Sequence, residues 1–327
     1  MIARTLVRIV AVTCATWLVT FALFSSLPGD AARAMAGPQA PHADVEHLRR
    51  TLHLDEPWPT RVLAYGQRSV HSASSARSHR SCTTVGALHV DLGFSFVYRR
   101  PVTKLLSARL PPSLALAIVV AGSAVFAGLS LGFLARSRQR ARGLVYASRL
   151  VSAVPAFALG LLVQEVAARR LGWFPLEASL ETWSSTLRSA VLPWLTLTAA
   201  IMGPYVAVAH AHWADLEGSA FVRASVARGA SPGYALWHHG IRQVCARLTA
   251  LACLDAGALV GGAVLTERLF RWPGLGSLAV EGMLARDLAV ISAVVVVAAL
   301  GVTLANACGD LVMRALDPRL REEPRST

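Results

Sequence analysis

The sequence predicts an all-α, polytopic membrane protein with about six transmembrane helices and one basic helical hairpin on the cytoplasmic side. Three observations predict this class. Of 327 residues, 54% are hydrophobic and only 16% are charged, whereas soluble domains carry about a quarter charged residues. Uncharged runs long enough to span a bilayer recur along the chain. The polar, basic stretch Gly218 to Arg247 lies between two such runs and is therefore predicted to lie outside the membrane.

Charge and cysteine usage exclude several classes of protein. The net charge of +13 comes almost entirely from arginines that flank apolar runs. Flanking arginines set membrane topology, so the basic excess does not indicate nucleic-acid binding. The five cysteines include no C-x-x-C pair, which leaves a zinc site or a disulfide framework unsupported. The histidines at 210, 212, 238 and 239 lack the convergent arrangement that a metal site needs, so no metal is predicted.

The N-terminal apolar run, residues 1–27, is predicted to be an uncleaved first transmembrane helix. Two arginines precede its apolar part, which places the N-terminus in the cytoplasm. The alternative is a signal peptide, but no clean A-x-A cleavage site follows. Residues 28–112 are predicted to form a long extracytoplasmic segment. Within it we expect a helix from His42 to Leu54 and a flexible Ser/Arg-rich insertion from Gly66 to Thr84.

Residues 113–314 are predicted to form a membrane core of five further helices. The expected spans are 113–134, 150–167, 189–213, 248–266 and 288–309. The Pro111-Pro112 pair is expected to begin the first of these helices, and Pro155 to kink the next one. Five arginines, at positions 136, 138, 140, 142 and 149, follow the first core span in one short loop and place that loop in the cytoplasm. Residues 315–327 then form a cytoplasmic tail.

Residues 214–247 are predicted to form the cytoplasmic hairpin. Apolar side chains at Leu216, Ala220, Phe221 and Ala224 share one face of a first short helix. Gly229 ends that helix, because glycine adopts the left-handed cap conformation without steric cost. Ser231 and Pro232 begin a second helix, as N-cap and first-turn residues, which runs to about Gln243. Ordinary connections between helices take about two to eight residues, so this segment is predicted to be a docking element.

Several motifs then point to one family. They are Phe221-Val222-Arg223, Arg228-Gly229-Ala230-Ser231, His239-Gly240-Ile241-Arg242, Gly261-Gly262-Ala263-Val264-Leu265, Trp272-Pro273-Gly274-Leu275-Gly276, Ala285-Arg286-Asp287 and Ala315-Leu316-Asp317-Pro318-Arg319. Together they resemble ABC importer permeases of the dipeptide/oligopeptide/nickel family, and most of all the first permease of the pair. The chain departs from the family pattern in the Ser/Arg-rich insertion and at Val226, Arg247 and Asp255.

The resemblance implies a transport subunit rather than an enzyme, with no catalytic residues. No G-x-x-x-x-G-K-[ST] motif occurs, so the chain needs no cofactor of its own and ATP would be bound by partner subunits. The implied partners are two ABC ATPase subunits, a second permease subunit and an extracytoplasmic solute-binding protein, in the inner membrane of a prokaryote. Dipeptides, longer peptides and nickel chelates all remain possible substrates. The alternatives are a membrane docking or receptor protein and, after that, a membrane-embedded enzyme.

The resemblance also implies an ATPase-coupling set in the hairpin: Arg223, Arg228, Gly229, Ser231, His239 and Arg242. Gly229 would allow the two helices to form a knob that fits a groove on the ATPase. Arg223 and Arg228 are interpreted either as anchors near lipid headgroups or as ion-pair donors to the ATPase. His239 is interpreted as a core histidine of the hairpin in preference to a direct contact.

A second set of residues is predicted to line the translocation path or the outer gate: Asp255, Glu267, Trp272, Pro273 and Gly274. An ionisable group within a span usually faces a bundle interior or a watery cavity. Asp255 is therefore interpreted either as part of a structural polar network or as a path residue that favours substrates with an amino group. Glu267 is expected to pair with Arg268 or Arg271, or to shape the outer gate.

Overall fold

The computed structural model describes residues 2–26, 41–51, 55, 60, 70–72, 83–85, 88–90, 92–95, 97–136, 138–178 and 182–316. These residues divide into two compact units. The first comprises residues 1–113 and 273–301, and the second comprises residues 114–272 and 302–327. Two long helices each pass from one unit into the other.

The first unit begins with helix α1 (Ile2–Ser26) and the short helix α2 (His42–Thr51). The predicted helix from His42 is confirmed up to Thr51, and residues 52–54 lie outside the described part. Three short strands follow: β1 (Val70–Ser72), β2 (Thr83–Val85) and β3 (Leu88–Val90). They form an antiparallel sheet in which β3 lies between β1 and β2. Strands β4 (Phe94–Ser95) and β5 (Arg100–Pro101) form a second antiparallel pair.

The sheet corrects the prediction for the Ser/Arg-rich segment. Gly66 to Thr84 was predicted to be a flexible insertion, yet residues 70–72 and 83–84 pair with strand β3. The polar composition of the segment misled the prediction, because three-residue strands need only backbone hydrogen bonds to a neighbour. Residues 73–82, which include most of the Ser/Arg-rich stretch, lie outside the described part.

Four described helices are long and apolar enough to cross a membrane. They are α3 (Val102–Leu134), α6 (Trp183–Glu217), α8 (Pro232–Gly262) and α11 (Leu288–Leu316). A bent pair of helices supplies a fifth span when it is counted as one. The all-α polytopic class is therefore confirmed. Helix α1 contributes a shorter apolar stretch, Val7–Thr20, to the described residues, so the count of six spans stays a prediction.

The bent pair differs from the prediction of a mildly kinked third span. Helix α4 (Arg138–Ala153) ends before Pro155, and helix α5 (Ala156–Val163) continues into a π-helix (Gln164–Arg170). The two arms meet at 96°. Proline lacks the N–H for the helical hydrogen bond and its ring collides with the preceding turn, so the chain breaks here. Four of the five predicted loop arginines, from Arg138 onward, lie in helix α4.

Two other helix ends were also predicted wrongly. Helix α3 begins at Val102, so Pro111 and Pro112 lie inside it and do not begin it. Helix α11 runs to Leu316, so the first residues of the predicted tail, Ala315 and Leu316, are helical. The rest of the tail, residues 317–327, lies outside the described part. The remaining elements are the short helices α7 (Ala220–Ala227), α9 (Val264–Leu269) and α10 (Leu275–Leu284).

Candidate functional site

The turn of the hairpin has the backbone geometry that its sequence predicts. Helix α7 ends at Ala227, and Gly229 has a φ of +94°. The Gly229 N–H donates to the Val226 carbonyl at 2.9 Å, and the Ala230 N–H donates to the Ser225 carbonyl at 3.2 Å. These two bonds form a Schellman cap, which satisfies the carbonyls at the end of the helix. A left-handed residue is required at this position, so glycine fits it without strain.

The second helix of the hairpin begins as predicted but does not end as predicted. The Ser231 side chain accepts a hydrogen bond from the Tyr234 N–H at 3.4 Å, with Pro232 in the first turn. Helix α8 then continues unbroken to Gly262 instead of ending near Gln243. The hairpin is therefore rigidly joined to a membrane span, because no loop separates the two.

The packing face of helix α7 was also predicted wrongly. Val222 and Ser225 are buried, whereas Phe221 and Ala224 are exposed. Leu216, which was assigned to the same face, belongs to the last turn of α6. Positions 222 and 225 are three apart and lie on one side of the helix. The exposed side consequently carries Phe221 and the arginines.

The hairpin arginines fall into two groups. The Arg223 and Arg228 side chains are exposed and form no ion pair with any described carboxylate. Arg242 instead donates a hydrogen bond from Nη2 to the Ala315 carbonyl at 3.3 Å. A cation is favourable at a helix C-terminus, where the carbonyls carry partial negative charge. Arg242 thus holds the end of α11 beside the hairpin.

His239 lies on the surface of the hairpin, so its interpretation as a core histidine is wrong. It is exposed, and its ring contacts Phe221 edge-on, with 6.2 Å between the ring centroids. Its neighbour His238 contacts it at 4.9 Å and stacks on Tyr234 at 5.4 Å. Ring side chains and arginines therefore share the exposed surface of the hairpin.

An aromatic clamp, Phe133, Trp213 and Trp237, connects the hairpin to two long helices. Phe133 from α3 contacts the Trp213 ring at 5.2 Å and the Trp237 ring at 4.9 Å, both edge-on. Trp213 from α6 stacks on Trp237 from α8 at 5.7 Å. At Gly240 an added Cβ would lie 2.9 Å from Trp213 Cζ3. Trp213 is fully buried, so the clamp transmits any movement of the hairpin to α3 and α6.

Asp255 lies in α8 and has one partner from α6. The Tyr205 hydroxyl donates a hydrogen bond to Asp255 Oδ2 at 2.7 Å. Tyr205 is almost fully buried, whereas Asp255 is partly exposed. A carboxylate on an apolar span is costly unless it has polar partners. The hydroxyl supplies one partner, and the exposed part of the carboxylate is available to another.

Two glycines of α3 bring this helix close to α6 and Tyr205. An added Cβ at Gly128 would lie 2.9 Å from Tyr205 Cβ, and one at Gly132 would lie 2.6 Å from Ala209 Cβ. Both distances are too short for real side chains. The G-L-S-L-G sequence at 128–132 therefore acts as a small-xxx-small packing motif. Its spacing is visible in the sequence, but the prediction did not use it.

The segment after α8 places Glu267 and Trp272 in buried positions. Glu267 is 1% exposed, and the Trp272 N–H donates to its carbonyl at 2.7 Å. Arg271, with a φ of +50°, forms an ion pair with Glu177. The predicted pairing of Glu267 with Arg271 is therefore not the one observed. Trp272 packs against Leu116, Val120 and Leu197.

Pro273 and Gly274 belong to the first unit and lead into helix α10, of which Gly274 is the N-cap. The Ser113 hydroxyl accepts a hydrogen bond from the Leu275 N–H at 2.8 Å. The predicted outer loop thus contains a ten-residue helix, anchored at its first residue.

A polar network that the sequence did not reveal fixes the other end of α10. Arg109 forms an ion pair with Glu281 at 3.3 Å, and the Tyr98 hydroxyl donates to the same carboxylate at 2.7 Å. The Ser95 hydroxyl donates to Asp287 at 2.5 Å. Burial and the Glu281 hydrogen bond raise the pKa of Tyr98 to about 12. These partners are more than 150 residues apart in sequence, so no local pattern indicates them.

Comparisons with known proteins cover almost the whole chain. Residues 124–322 match the family model described as "Binding-protein-dependent transport system inner membrane component". Residues 1–117 match the model for the N-terminal part of such membrane components. The chain is 32% identical over 307 residues to the glutathione transport system permease protein GsiC of Escherichia coli O6:H1 (strain CFT073), with 93% of each chain covered. The GsiC proteins of Escherichia coli K12 and Shigella dysenteriae serotype 1 are each 31% identical over the same coverage.

Proposed function

This chain belongs to the family of binding-protein-dependent transport system inner membrane components, and from that premise we propose which parts of it bind partners and substrate. It is a multi-pass inner-membrane permease subunit of an ABC importer, not an enzyme. ATPase and solute-binding-protein partners follow from the family. Membership in a transport family decides against the receptor and membrane-enzyme alternatives.

We propose that the hairpin docks into an ABC ATPase on the cytoplasmic side, and that two ATPases and a second permease complete the importer. The observation that carries this proposal is the exposed, basic and aromatic surface of the hairpin, joined without a loop to span α8. ATP bound by the ATPases would move the hairpin, and the aromatic clamp would pass that movement to α3 and α6. The two orientations of the spans then form a ligand-shifted equilibrium. The N- and C-termini are cytoplasmic in this arrangement.

Co-purification with the ATPase tests the docking role. Gly229→Val forces a β-branched residue to adopt φ +94°, while no other atom lies within 4 Å of the added Cβ. Its effect therefore comes from the backbone of the turn alone. The double substitution Arg223→Gln and Arg228→Gln removes charge without changing the backbone. We expect both variants to lose ATPase in the purified complex.

The matched control is Arg149→Gln, which removes an exposed arginine from helix α4, away from the hairpin. It is expected to retain the ATPase. Retention of full ATPase binding by the Gly229→Val protein, with the fold intact by circular dichroism, would show that the hairpin does not dock.

For the substrate, we propose a peptide or a related small solute. The curated relatives are named as glutathione permeases, and glutathione is a short peptide with a free amino group. Asp255 offers a carboxylate on a span with one side open, which would attract a cationic amino group along the translocation path. Glu267, Trp272, Pro273 and Gly274 would then form the outer gate through which the binding protein delivers the solute.

Uptake by the complete transporter in proteoliposomes tests the role of Asp255. Asp255→Asn removes the charge and keeps the shape, so uptake of a peptide with a free amino group should fall more than uptake of its N-acetylated form. Tyr205→Phe removes the hydrogen bond but keeps the carboxylate, and should affect both substrates equally. Equal uptake of both peptides by the Asp255→Asn protein and the wild type would remove Asp255 from the path.

A further inference from the structure

A cavity of about 530 Å³ lies beside the hairpin in the second unit. Its walls come from the end of α3, the end of α6, helix α7 and the first turn of α8. The lining residues are Arg136, Glu217, Val222, Arg223, Val226, Ala227, Pro232 and Gly233. Small-molecule sites in proteins have volumes of roughly 300–1,000 Å³, so the cavity has the size of a binding site.

The lining carries two guanidinium groups and one carboxylate, from Arg136, Arg223 and Glu217. Neither arginine forms an ion pair within the part of the chain that the structure describes. Arg136 lies over the Phe133 ring, with 4.2 Å to its centroid, and donates one hydrogen bond to the Phe133 carbonyl. A guanidinium has five N–H donors, so most of those of Arg136 remain free for a ligand.

Arg136 also faces the positive end of a helix. Its Nη2 atom would lie 3.3 Å from a Cβ added at Gly233, in the first turn of α8. The N-terminus of a helix carries partial positive charge, and a cation beside it is unfavourable. An anion in the cavity would relieve both this repulsion and the unpaired charge of Arg223. The net charge of the three ionisable lining groups, +1, matches an anion with a single negative charge.

The surroundings of the cavity indicate where that anion comes from. Three candidate membrane spans, α3, α6 and α8, begin or end here. Tyr234 is 60% exposed and Trp237 is 39% exposed in the first two turns of α8, and Leu134 is 47% exposed at the end of α3. Tyrosine and tryptophan are enriched at the level of the lipid headgroups. An exposed leucine on the membrane side of the arginines can contact an acyl chain.

We propose that this cavity binds the phosphodiester of an anionic phospholipid, with Arg136 and Arg223 as its ligands. This site is separate from the transport path and from the ATPase-docking surface. A headgroup held there would contact the end of α3, helix α7 and the start of α8 together. It would therefore fix the angle between the hairpin and the membrane spans, and make coupling dependent on the lipid composition.

The test uses the purified full-length chain in nanodiscs of dioleoylphosphatidylcholine with increasing dioleoylphosphatidylglycerol. We expect phosphatidylglycerol to raise the midpoint of thermal unfolding in a saturable manner, and native mass spectrometry to show one retained lipid. The Arg136→Gln/Arg223→Gln protein should bind this lipid about 25-fold more weakly, since each arginine near a membrane surface contributes about fivefold. Arg228→Gln removes a hairpin charge outside the cavity and should bind as the wild type does.

A second variant keeps the test decisive if loss of Arg136 prevents folding. Ala227→Glu places a carboxylate in the cavity and leaves the contact of Arg136 with Phe133 unchanged, so lipid binding should again be lost. Equal protection by inorganic phosphate in phosphatidylcholine nanodiscs would overturn the lipid proposal in favour of a soluble anion. Unchanged phosphatidylglycerol binding by the double variant, with loss of ATPase co-purification instead, would assign the cavity to protein docking.

Discussion

The contact between α3 and α6 makes a sharp prediction, because a single methyl group at Gly132 has no space. A Cβ there would lie 2.6 Å from Ala209 Cβ and 3.0 Å from the His210 backbone nitrogen. Carbon atoms in contact prefer about 3.5–4.0 Å, so the helices must separate by roughly 1 Å. A backbone atom cannot rotate away as a flexible side chain can. Overpacking of this kind costs about 1–3 kcal/mol.

The same helix supplies a matched control at Gly122, where nothing lies within 4 Å of an added Cβ. Both substitutions to alanine gain up to about 1 kcal/mol of helix propensity. The free energy of unfolding of Gly132→Ala should therefore lie about 1–3 kcal/mol below that of Gly122→Ala. At about 2–4 °C per kcal/mol, the two midpoints should differ by about 2–12 °C in the same detergent.

A functional readout accompanies the difference in stability. Ala209 lies one helical turn from Tyr205, whose hydroxyl is 2.7 Å from Asp255. Separation of the helices should weaken that hydrogen bond, so Gly132→Ala should reduce uptake more than Gly122→Ala at equal protein levels. Equal unfolding midpoints for the two alanine variants would refute the close packing of α3 on α6.

Three further predictions concern the clamp, the helix ends and the polar network. Gly240→Ala should lower the unfolding midpoint, because its Cβ would lie 2.9 Å from Trp213; a midpoint at or above that of the wild type would contradict the clamp. Arg242→Gln should increase amide hydrogen exchange in the last turn of α11, because the helix loses its capping cation; unchanged exchange there would be the opposing result. Tyr98→Phe should cost about 1 kcal/mol at every pH from 6 to 9. The folded pKa of Tyr98 is raised from 10 to about 12 by burial and Glu281, so its contribution is fully present below pH 10 and is lost as the pH rises through 12. A cost that changes between pH 6 and 9 would contradict this assignment.

Some features of the hairpin could be predicted from sequence because they depend on neighbours within four residues. Gly229 adopts a positive φ in the structure, and Ser231 caps the helix that Pro232 begins. Each follows from the conformational freedom of a single residue type. The membrane class follows equally directly, since it depends on runs of apolar residues and not on how they pack.

The errors in the hairpin have a different cause. His239 was assigned to the core and is exposed, while the burial of Val222 and Ser225 replaces that of Phe221 and Ala224. The periodicity of an eight-residue helix with several small side chains fits more than one face. Which face is buried depends on the neighbouring helices, and their positions are not encoded locally.

The sequence by itself determined that this chain is an all-α membrane protein of the ABC importer permease type with a basic hairpin. Local propensities, apolar run lengths and family motifs suffice for that, because each is a property of a short segment. Only the tertiary structure decided that Tyr205 pairs with Asp255 and that Arg242 caps α11. It alone joined the hairpin to α3 and α6 through three aromatic rings. Such contacts join residues 50 or more apart in sequence, and they form only after the helices have packed.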